Sequence, residues 1–329
     1  MSKLCVLGLG NFGTSLVKVW LQAGNEVTGW TVEEDVYQDI VSNQRNEKYL
    51  KGELLTGLTA SMNLGEAVAN AEIIVLALPS GVVLKVVDDL LQHLQPEQIL
   101  LDLAKGLAPG ERLVSDVITE RVENAGLKNP VAILTGPTIA PEVAAGVLTT
   151  ALISSHDETV SQKLVTALTT DTFRLQGGED PVGAELWGAF KNVIALACGI
   201  VDGLKEGGGD NLKAALFSAG YREGCRLLPV LGAQPETSLG PAGIGDLFVT
   251  AISPHGRNRS MGEKLGQGLS LEEALGEMVM VSEGVRAARM FKERGVDVGV
   301  ELPFVAALNR LLDGNLAVSD CVAEMVGLS

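Results

Sequence analysis

Basic residues are scarce in this chain: 25 Lys and Arg stand against 41 Asp and Glu, a net charge of −16 over 329 residues. A nucleic-acid backbone or an anionic membrane surface asks for the opposite sign, which excludes both as partners. Histidine is rarer still, with His93, His156 and His255 only. The four cysteines, Cys5, Cys198, Cys225 and Cys321, lie far apart with no CxxC spacing. No metal site is expected from such a set, and the thiols read as reduced and mostly buried, as in a cytoplasmic protein. Aromatic residues make up 4% of the chain against an apolar total of 46%, so Ala, Val, Leu and Ile must build the core. Long apolar runs are missing too. The most membrane-like, Val193 to Val201, is too short to span a bilayer, so no membrane insertion is expected. The N-terminus reads as a strand from the start, without a signal peptide.

Glycine, by contrast, is abundant at 39 residues. Its most informative use is Gly8-Leu9-Gly10-Asn11-Phe12-Gly13. The apolar run Leu4-Cys5-Val6-Leu7 precedes it, and Phe12, Leu16, Val19, Trp20 and Ala23 follow at helical spacing. Strand, glycine turn and helix form the context in which GxGxxG indicates a dinucleotide. Gly8 would allow the tight turn, Gly10 the approach of a pyrophosphate, and Gly13 close helix–strand packing. The pyrophosphate would sit on free N–H groups at the positive end of the helix. The blander alternative is a glycine turn without a nucleotide.

A second strand is expected over Val27–Thr31, followed by Val32-Glu33-Glu34-Asp35. Glu33 or Glu34 would accept from a ribose 2′-OH, and no Lys or Arg stands nearby to meet a 2′-phosphate. That favours NAD, with NADP possible. The same acids would also suit the start of the next helix.

Further buried strands are expected at Ile73–Leu78, Ile99–Leu103 and Val131–Leu134, then at Thr149–Ser155 and Phe173–Leu175. Lys105 follows one of these strands, where parallel sheets meet their ligands. It would face an anion or a carbonyl oxygen, or else be a solvated loop lysine. Thr135-Gly136-Pro137-Thr138 ends another strand and offers backbone N–H groups in the same region. The alternation reads as a Rossmann-like doubly wound α/β domain over residues 1–179.

From about residue 180 nothing reads as strand. An all-helical C-terminal domain, assigned to substrate binding and catalysis, is expected over 180–329. Its first helix, from Val182 to about Leu204, carries Lys191, whose same-face neighbours Ala184, Gly188 and Ala195 are all small. Either space is left around the ammonium for another group, or the lysine snorkels. Gly256-Arg257-Asn258-Arg259 reads as a Gly-flanked turn with the densest positive pair in an acidic chain, suited to a phosphate. Ser270-Leu271-Glu272-Glu273 reads as a capping box, Gly295 as a helix end, and Pro303 as a helix start.

Taken in order, these motifs resemble the NAD(P)-dependent glycerol-3-phosphate dehydrogenases, and the bacterial-type enzymes most. The resemblance runs nearly end to end. It is carried by Gly8–Thr14, Lys105-Gly106, Gly136–Val143, Glu185, Lys191-Asn192, Gly243–Leu247, Arg257-Asn258 and Glu283-Gly284. It implies that Asn11 and Phe12 contact the cofactor within the glycine turn and that Lys105 touches cofactor and substrate. Gly136 and Thr138 would hold the substrate, with Ala140 against the cofactor. Lys191 would be the catalytic acid/base and Asp246 would bind substrate beside it. Arg257 would reach both cofactor and substrate phosphate, and Asn258 the phosphate. Val281 and Glu283 would close over the nicotinamide side.

The implied reaction interconverts dihydroxyacetone phosphate and sn-glycerol 3-phosphate, supplying the latter to glycerophospholipid synthesis. A homodimer is a family-level expectation. The chain departs from the family at Gly256, where a Ser is usual, at Phe12, where Trp is frequent, and at Val32-Glu33, where a basic residue is frequent. The chemistry agrees with the residues. The alkoxide formed on hydride delivery needs a proton and a nearby cation, and a desolvated lysine provides both. A related two-domain dehydrogenase acting on a 3-hydroxyacid or ketopantoate is the alternative enzyme, and a non-catalytic NAD-binding regulator the alternative of another class.

Overall fold

The computed structural model describes residues 1–253, 256–278 and 282–327. It divides into two compact units, Met1–Pro181 and Val182–Ser329.

The first unit is built on an eight-stranded sheet. β1 (Lys3–Leu7), α1 (Asn11–Gln22) and β2 (Glu26–Trp30) open it, and α2 (Glu34–Asn43) follows. β3 (Arg45–Asn46) and β4 (Leu50–Leu54) form a separate antiparallel pair. β5 (Thr59–Ser61) then joins the edge of the main sheet beside β2. None of these three short strands is expected from the polar, aperiodic residues after position 33. Pairing with neighbours, rather than propensity, makes them strands.

α3 (Leu64–Val68), β6 (Ile73–Leu76), α4 (Ser80–Leu90), β7 (Ile99–Asp102) and α5 (Val114–Asn124) continue the alternation. β8 (Val131–Thr135), α6 (Ala140–Ala144), β9 (Thr149–Ser154), α7 (Glu158–Leu168) and β10 (Phe173–Gly178) complete it. The order is β10-β9-β8-β7-β6-β1-β2-β5. Every pair in it is parallel except β8–β9, which is antiparallel. The five-residue α6 reverses the chain without crossing back over the sheet.

Alternate residues of the central strands feed two apolar layers. Leu4, Val6 and Val75 pack with Leu16 and Trp20 of α1 on one face. Cys5, Leu7 and Ile74 pack with Val83 and Val87 of α4 on the other. Burial pushes the Cys5 thiol up to about 12, which makes it inert.

The second unit is helical among the described residues. α8 (Pro181–Gly203) leads to α9 (Asp210–Val230), and one turn of π-helix at Pro241–Gly245 leads into α10 (Asp246–Ile252). α11 (Arg257–Gly266), α12 (Leu271–Gly276), α13 (Glu283–Asp297), α14 (Pro303–Leu312) and α15 (Val318–Met325) follow. α8 is long and apolar enough to cross a membrane, yet only Val182 and Asp202 along it are less than fully buried.

The capping box at Ser270 and Glu273 forms, and Pro303 opens α14 at its first position. Gly295 does not end its helix; α13 runs on to Asp297. Glycine lets Leu302 pack closely there: an added Cβ would lie 2.4 Å from Leu302 Cδ1 and that side chain would have to shift. α14 has no side-chain cap of its own. Glu223 of α9 supplies one, accepting from Phe304 N and Val305 N at 2.9 Å each. Burial pushes the Glu223 carboxyl up, against the lowering pull of those two N–H groups.

Candidate active site

In the first unit the three glycines of the opening turn are there for three different reasons. Gly8 has φ +102°, and an added Cβ would lie 2.5 Å from the Ala77 carbonyl oxygen. At Gly13 an added Cβ would lie 2.0 Å from the Gly8 carbonyl oxygen, so the helix could not sit so close to the strand end. At Gly10 it would meet nothing within 4 Å. Gly10 is also the N-cap of α1 and offers no side-chain cap to the first-turn N–H groups. An uncapped helix start beside open space suits an anion, and these residues fit a dinucleotide's pyrophosphate.

The turn is held from beneath. Thr14 Oγ1 donates to Leu9 O at 2.9 Å, and Asn46 Nδ2 donates to Leu9 O and Thr14 Oγ1 at 2.9 Å each. Asn11 is the first residue of α1, and Phe12 packs half-buried against the core.

Glu33 is the N-cap of α2. It pairs with Lys48 and accepts from Tyr49 Oη at 2.8 Å, and Lys48 also reaches Asp35 at 3.0 Å. The Glu33 contact pushes the Tyr49 hydroxyl's pKa up, and the Lys48 ammonium holds the Asp35 carboxyl below its ordinary range. Lys48 and Tyr49 have no signal in the sequence, because only the turn between β3 and β4 brings them beside Glu33.

Lys105, Gly136 and Thr138 come together. Lys105 Nζ donates to Gly136 O at 3.0 Å and to Thr138 Oγ1 at 3.3 Å, and Thr138 Oγ1 to Gly136 O at 3.2 Å. Gly136 sits at φ +142° with an added Cβ only 3.0 Å from Ala151 Cα. Ala140 starts α6. The helix is tied to α1 by Lys18, which is buried and donates to Ala144 O at 2.9 Å while pairing with Glu53 at 2.6 Å.

In the second unit the space beside Lys191 is filled by a carboxylate. Lys191 Nζ lies 2.6 Å from Asp246 Oδ1, with 5% and 2% of the two side chains exposed. Two charges so buried are tolerable only because each offsets the other's lost hydration. The π-helical turn at Pro241–Gly245 delivers Asp246 as the first residue of α10. An added Cβ on Gly243 would lie 2.2 Å from Ser238 O, so that turn could not close as tightly with a larger residue.

Beside Lys191, Asn192 is buried and links three segments. Asn258 Nδ2 donates to Asn192 Oδ1 at 2.8 Å, and Asn258 Oδ1 accepts from Ser282 Oγ at 2.7 Å and Gly284 N at 2.9 Å. Asn192 and Ser282 are absent from the expected site residues, although Asn192 lies within the Lys191-Asn192 motif. Most of the Asn258 carboxamide is committed to this network.

Arg257 and Asn258 are not in a turn; they open α11. Its N-cap is Gly256, with no side-chain cap and no acid in the first turn. Two arginines there carry the sign that the helix dipole disfavours, and Arg259 is offset by Asp202 at 2.5 Å. Arg257 is exposed. Glu283 opens α13 with the sign the dipole favours. Val281 and His255 lie outside the described residues.

A glycine turn on a mostly parallel sheet, followed by a helical unit holding a buried lysine–aspartate pair, defines a dinucleotide-dependent dehydrogenase. The sequence matches the family described as NAD-dependent glycerol-3-phosphate dehydrogenase N-terminus over residues 3–161, and that described as its C-terminus over 180–323. A glycerol-3-phosphate dehydrogenase [NAD(P)+] of Clostridium botulinum is 39% identical over 95% of this chain and 93% of its own. One of Staphylococcus aureus is 38% identical over 99% and 98%. The crystal structure of glycerol-3-phosphate dehydrogenase from Coxiella burnetii superposes with a TM-score of 0.87 at 30% identity, covering 99% of both chains. The enzyme of Saccharomyces cerevisiae gives 0.86 at 27%, again covering 99% of both. The chain belongs to the NAD-dependent glycerol-3-phosphate dehydrogenases, oxidoreductases that interconvert dihydroxyacetone phosphate and glycerol 3-phosphate.

Proposed function

We propose that Lys191 is the acid/base of this reaction, and that the Lys191–Asp246 pair is the observation that carries the reading. A nicotinamide cofactor, when bound, exchanges the hydride. The chain's own residues do the rest. Lys191 gives its proton to the oxygen forming at C2 of dihydroxyacetone phosphate and takes it back in the reverse direction. Asp246 fixes the ammonium on its helix face, so the charge is in place before the oxygen becomes negative.

Lys105 and Thr138 hold substrate hydroxyls with the Gly136 turn. Arg257 and the first N–H groups of α11 take the phosphate, and this remote contact orients the reacting carbon. Gly8, Gly10, Asn11, Phe12 and Gly13 receive the cofactor, with Ala140 against it and Glu283 on its nicotinamide side. The cofactor domain is residues 1–179, and the substrate domain is 180–329.

NAD is the preferred cofactor. Glu33 and Asp35 present carboxylates where a 2′-phosphate would come, and Lys48 is already shared between them. The protein works in the cytoplasm as a homodimer, supplying glycerol 3-phosphate to phospholipid synthesis. Unpaired cysteines support a reducing compartment, and the dimer rests on the family resemblance. The deciding experiment follows NADH oxidation with dihydroxyacetone phosphate, and separately with ketopantoate, in wild type and Lys191→Ala. Turnover of ketopantoate in preference to the triose, or an unimpaired variant, would overturn the reading.

A further inference from the structure

The doublet Arg257 and Arg259 looks like one anion clamp, but the fold separates the two. Residues two apart on a helix do not share a face. Arg259 Nε lies 2.5 Å from Asp202 Oδ2, and its Nη1 donates to Ile252 O at 3.2 Å. The other oxygen of Asp202 meets Lys213 Nζ at 2.5 Å. One carboxylate at the end of α8 thus joins the starts of α9 and α11, and through Arg259 the end of α10. About four-fifths of each of these three side chains is buried. Burial pushes the Asp202 carboxyl up, but the hydrogen bonds from Arg259 and Lys213 outweigh it and hold it below its ordinary value.

The helices that this carboxylate joins lie backbone to backbone. An added Cβ on Gly199 or Gly203 of α8 would lie 2.1 or 2.0 Å from Arg259 O or Glu263 O of α11. The relation is reciprocal: Gly262 and Gly266 of α11 would meet Leu196 O and Ile200 O of α8 at 2.0 and 2.1 Å. Only glycine fits at these four points, so the glycines set the register along the shared face, and two polar contacts pin the start of α11 to α8: Asn258 with Asn192, and Arg259 with Asp202. The Arg259–Asp202 contact lies beside the first of these glycine contacts and one residue past Asn258.

We propose that Arg259 is a positioning residue for the phosphate end of the substrate: through Asp202 it pins the start of α11 to α8, and hence fixes Arg257 and Asn258 relative to Lys191. This rests on the reading that Arg257 and the start of α11 hold the phosphate.

The test compares dihydroxyacetone phosphate with unphosphorylated dihydroxyacetone, in wild type, Arg259→Gln, Arg259→Lys and Arg257→Ala. NADH affinity is measured by fluorescence and melting temperature is recorded for each. For Arg259→Gln, kcat/KM with the phosphorylated substrate is expected to fall roughly ten- to a hundredfold. Its turnover of dihydroxyacetone stays within about twofold of wild type, since that substrate carries no phosphate for the displaced groups to hold. Arg259→Lys, which keeps an ion pair with Asp202, recovers part of the loss.

Equal losses on both substrates would reduce Arg259 to general scaffolding and overturn the proposal, as would no loss on either. Should Arg259→Gln not fold, the same substrate ratio read from Arg259→Lys decides. Arg257→Ala separates the two levels. If it leaves dihydroxyacetone phosphate kinetics unchanged, the phosphate reading itself fails. If it is selective while the Arg259 variants are not, only the positioning role fails.

Discussion

Both units bring backbone against backbone at glycines, but the second adds buried ion pairs beside its functional groups. In the first, position comes from backbone. Gly8, Gly13 and Gly136 let main chain approach main chain, and the ions around Glu33 and Lys48 remain largely at the surface. In the second, position comes also from buried charge. Lys191 with Asp246, and Asp202 with Lys213 and Arg259, are withdrawn from water and satisfied by one another. A backbone cradle tolerates many side chains around it, whereas a buried pair tolerates the loss of neither partner. Substitutions should therefore damage the second unit more selectively and more deeply.

The comparison is broken first at Lys191. Lys191→Ala should lower turnover on the order of 10²–10⁴-fold while NADH binding, followed by fluorescence titration, stays near wild type. A parallel loss of NADH affinity would show that the lysine supports structure in place of chemistry. Next comes Arg257→Ala. Loss of a charge-assisted contact of about 1.5–3 kcal/mol should raise KM for dihydroxyacetone phosphate roughly ten- to a hundredfold and lower kcat as well. Arg257→Lys should not restore it fully. Inorganic phosphate should compete with substrate in the wild type and much less in the variant; equal inhibition of both would remove Arg257 from the phosphate.

The first unit offers a gentler probe. NADH should be used more efficiently than NADPH, and Glu33→Gln should narrow the gap severalfold by removing one repulsive carboxylate at the 2′ position. Equal kcat/KM for the two cofactors in the wild type would refute the preference. Lys48 sharpens this prediction, because it is a cation that the residues from Trp30 to Gln44 give no hint of.

The smallest effect concerns acid stability. The Asp202 carboxyl is held below its ordinary 3.8. Its stabilisation is fully present above that value and is lost as pH falls through the depressed pKa. Asp202→Asn should therefore lower the melting temperature near neutral pH and flatten its fall in acid below about pH 4. An unchanged acid limb in the variant would mean that other carboxylates govern it.

Legibility in the sequence followed the same division. Strand, glycine turn and helix are local, so GxGxxG and the buried strands can be read from a few adjacent residues. Their place at strand ends pointed to Lys105 and the Gly136–Thr138 turn, the family resemblance gave them roles, and the structure brings them within hydrogen-bonding distance. The short strands β3 to β5 were not readable, since their residues become strand only by pairing. β9 was expected as a strand, but its antiparallel direction was not readable, because α6 has no periodic signal at five residues. In the second unit, small residues beside Lys191 signalled room for another group but not which one. Asp246 arrives from 55 residues further along the chain, and Arg259 reaches Asp202 across 57. Contacts at such separations leave no local pattern. That the Arg-Asn-Arg segment is helical was equally hidden, because arginines at a helix start run against the dipole rule and the Asp202 carboxylate that offsets Arg259 is distant in sequence.

The buried apolar helix α8 also bears on how the protein is made. Its glycine-lined face is complete once Gly203 has been synthesised, but the matching face of α11 ends at Gly266, 63 residues later (266 − 203). At roughly 5–20 residues per second, a growing chain spends several seconds with that face of a membrane-like helix still uncovered. An apolar face exposed for that interval would be a surface that chaperones bind. Ribosome-arrested chains ending before Arg257 should therefore retain chaperone contacts that chains arrested well beyond Gly266 have lost.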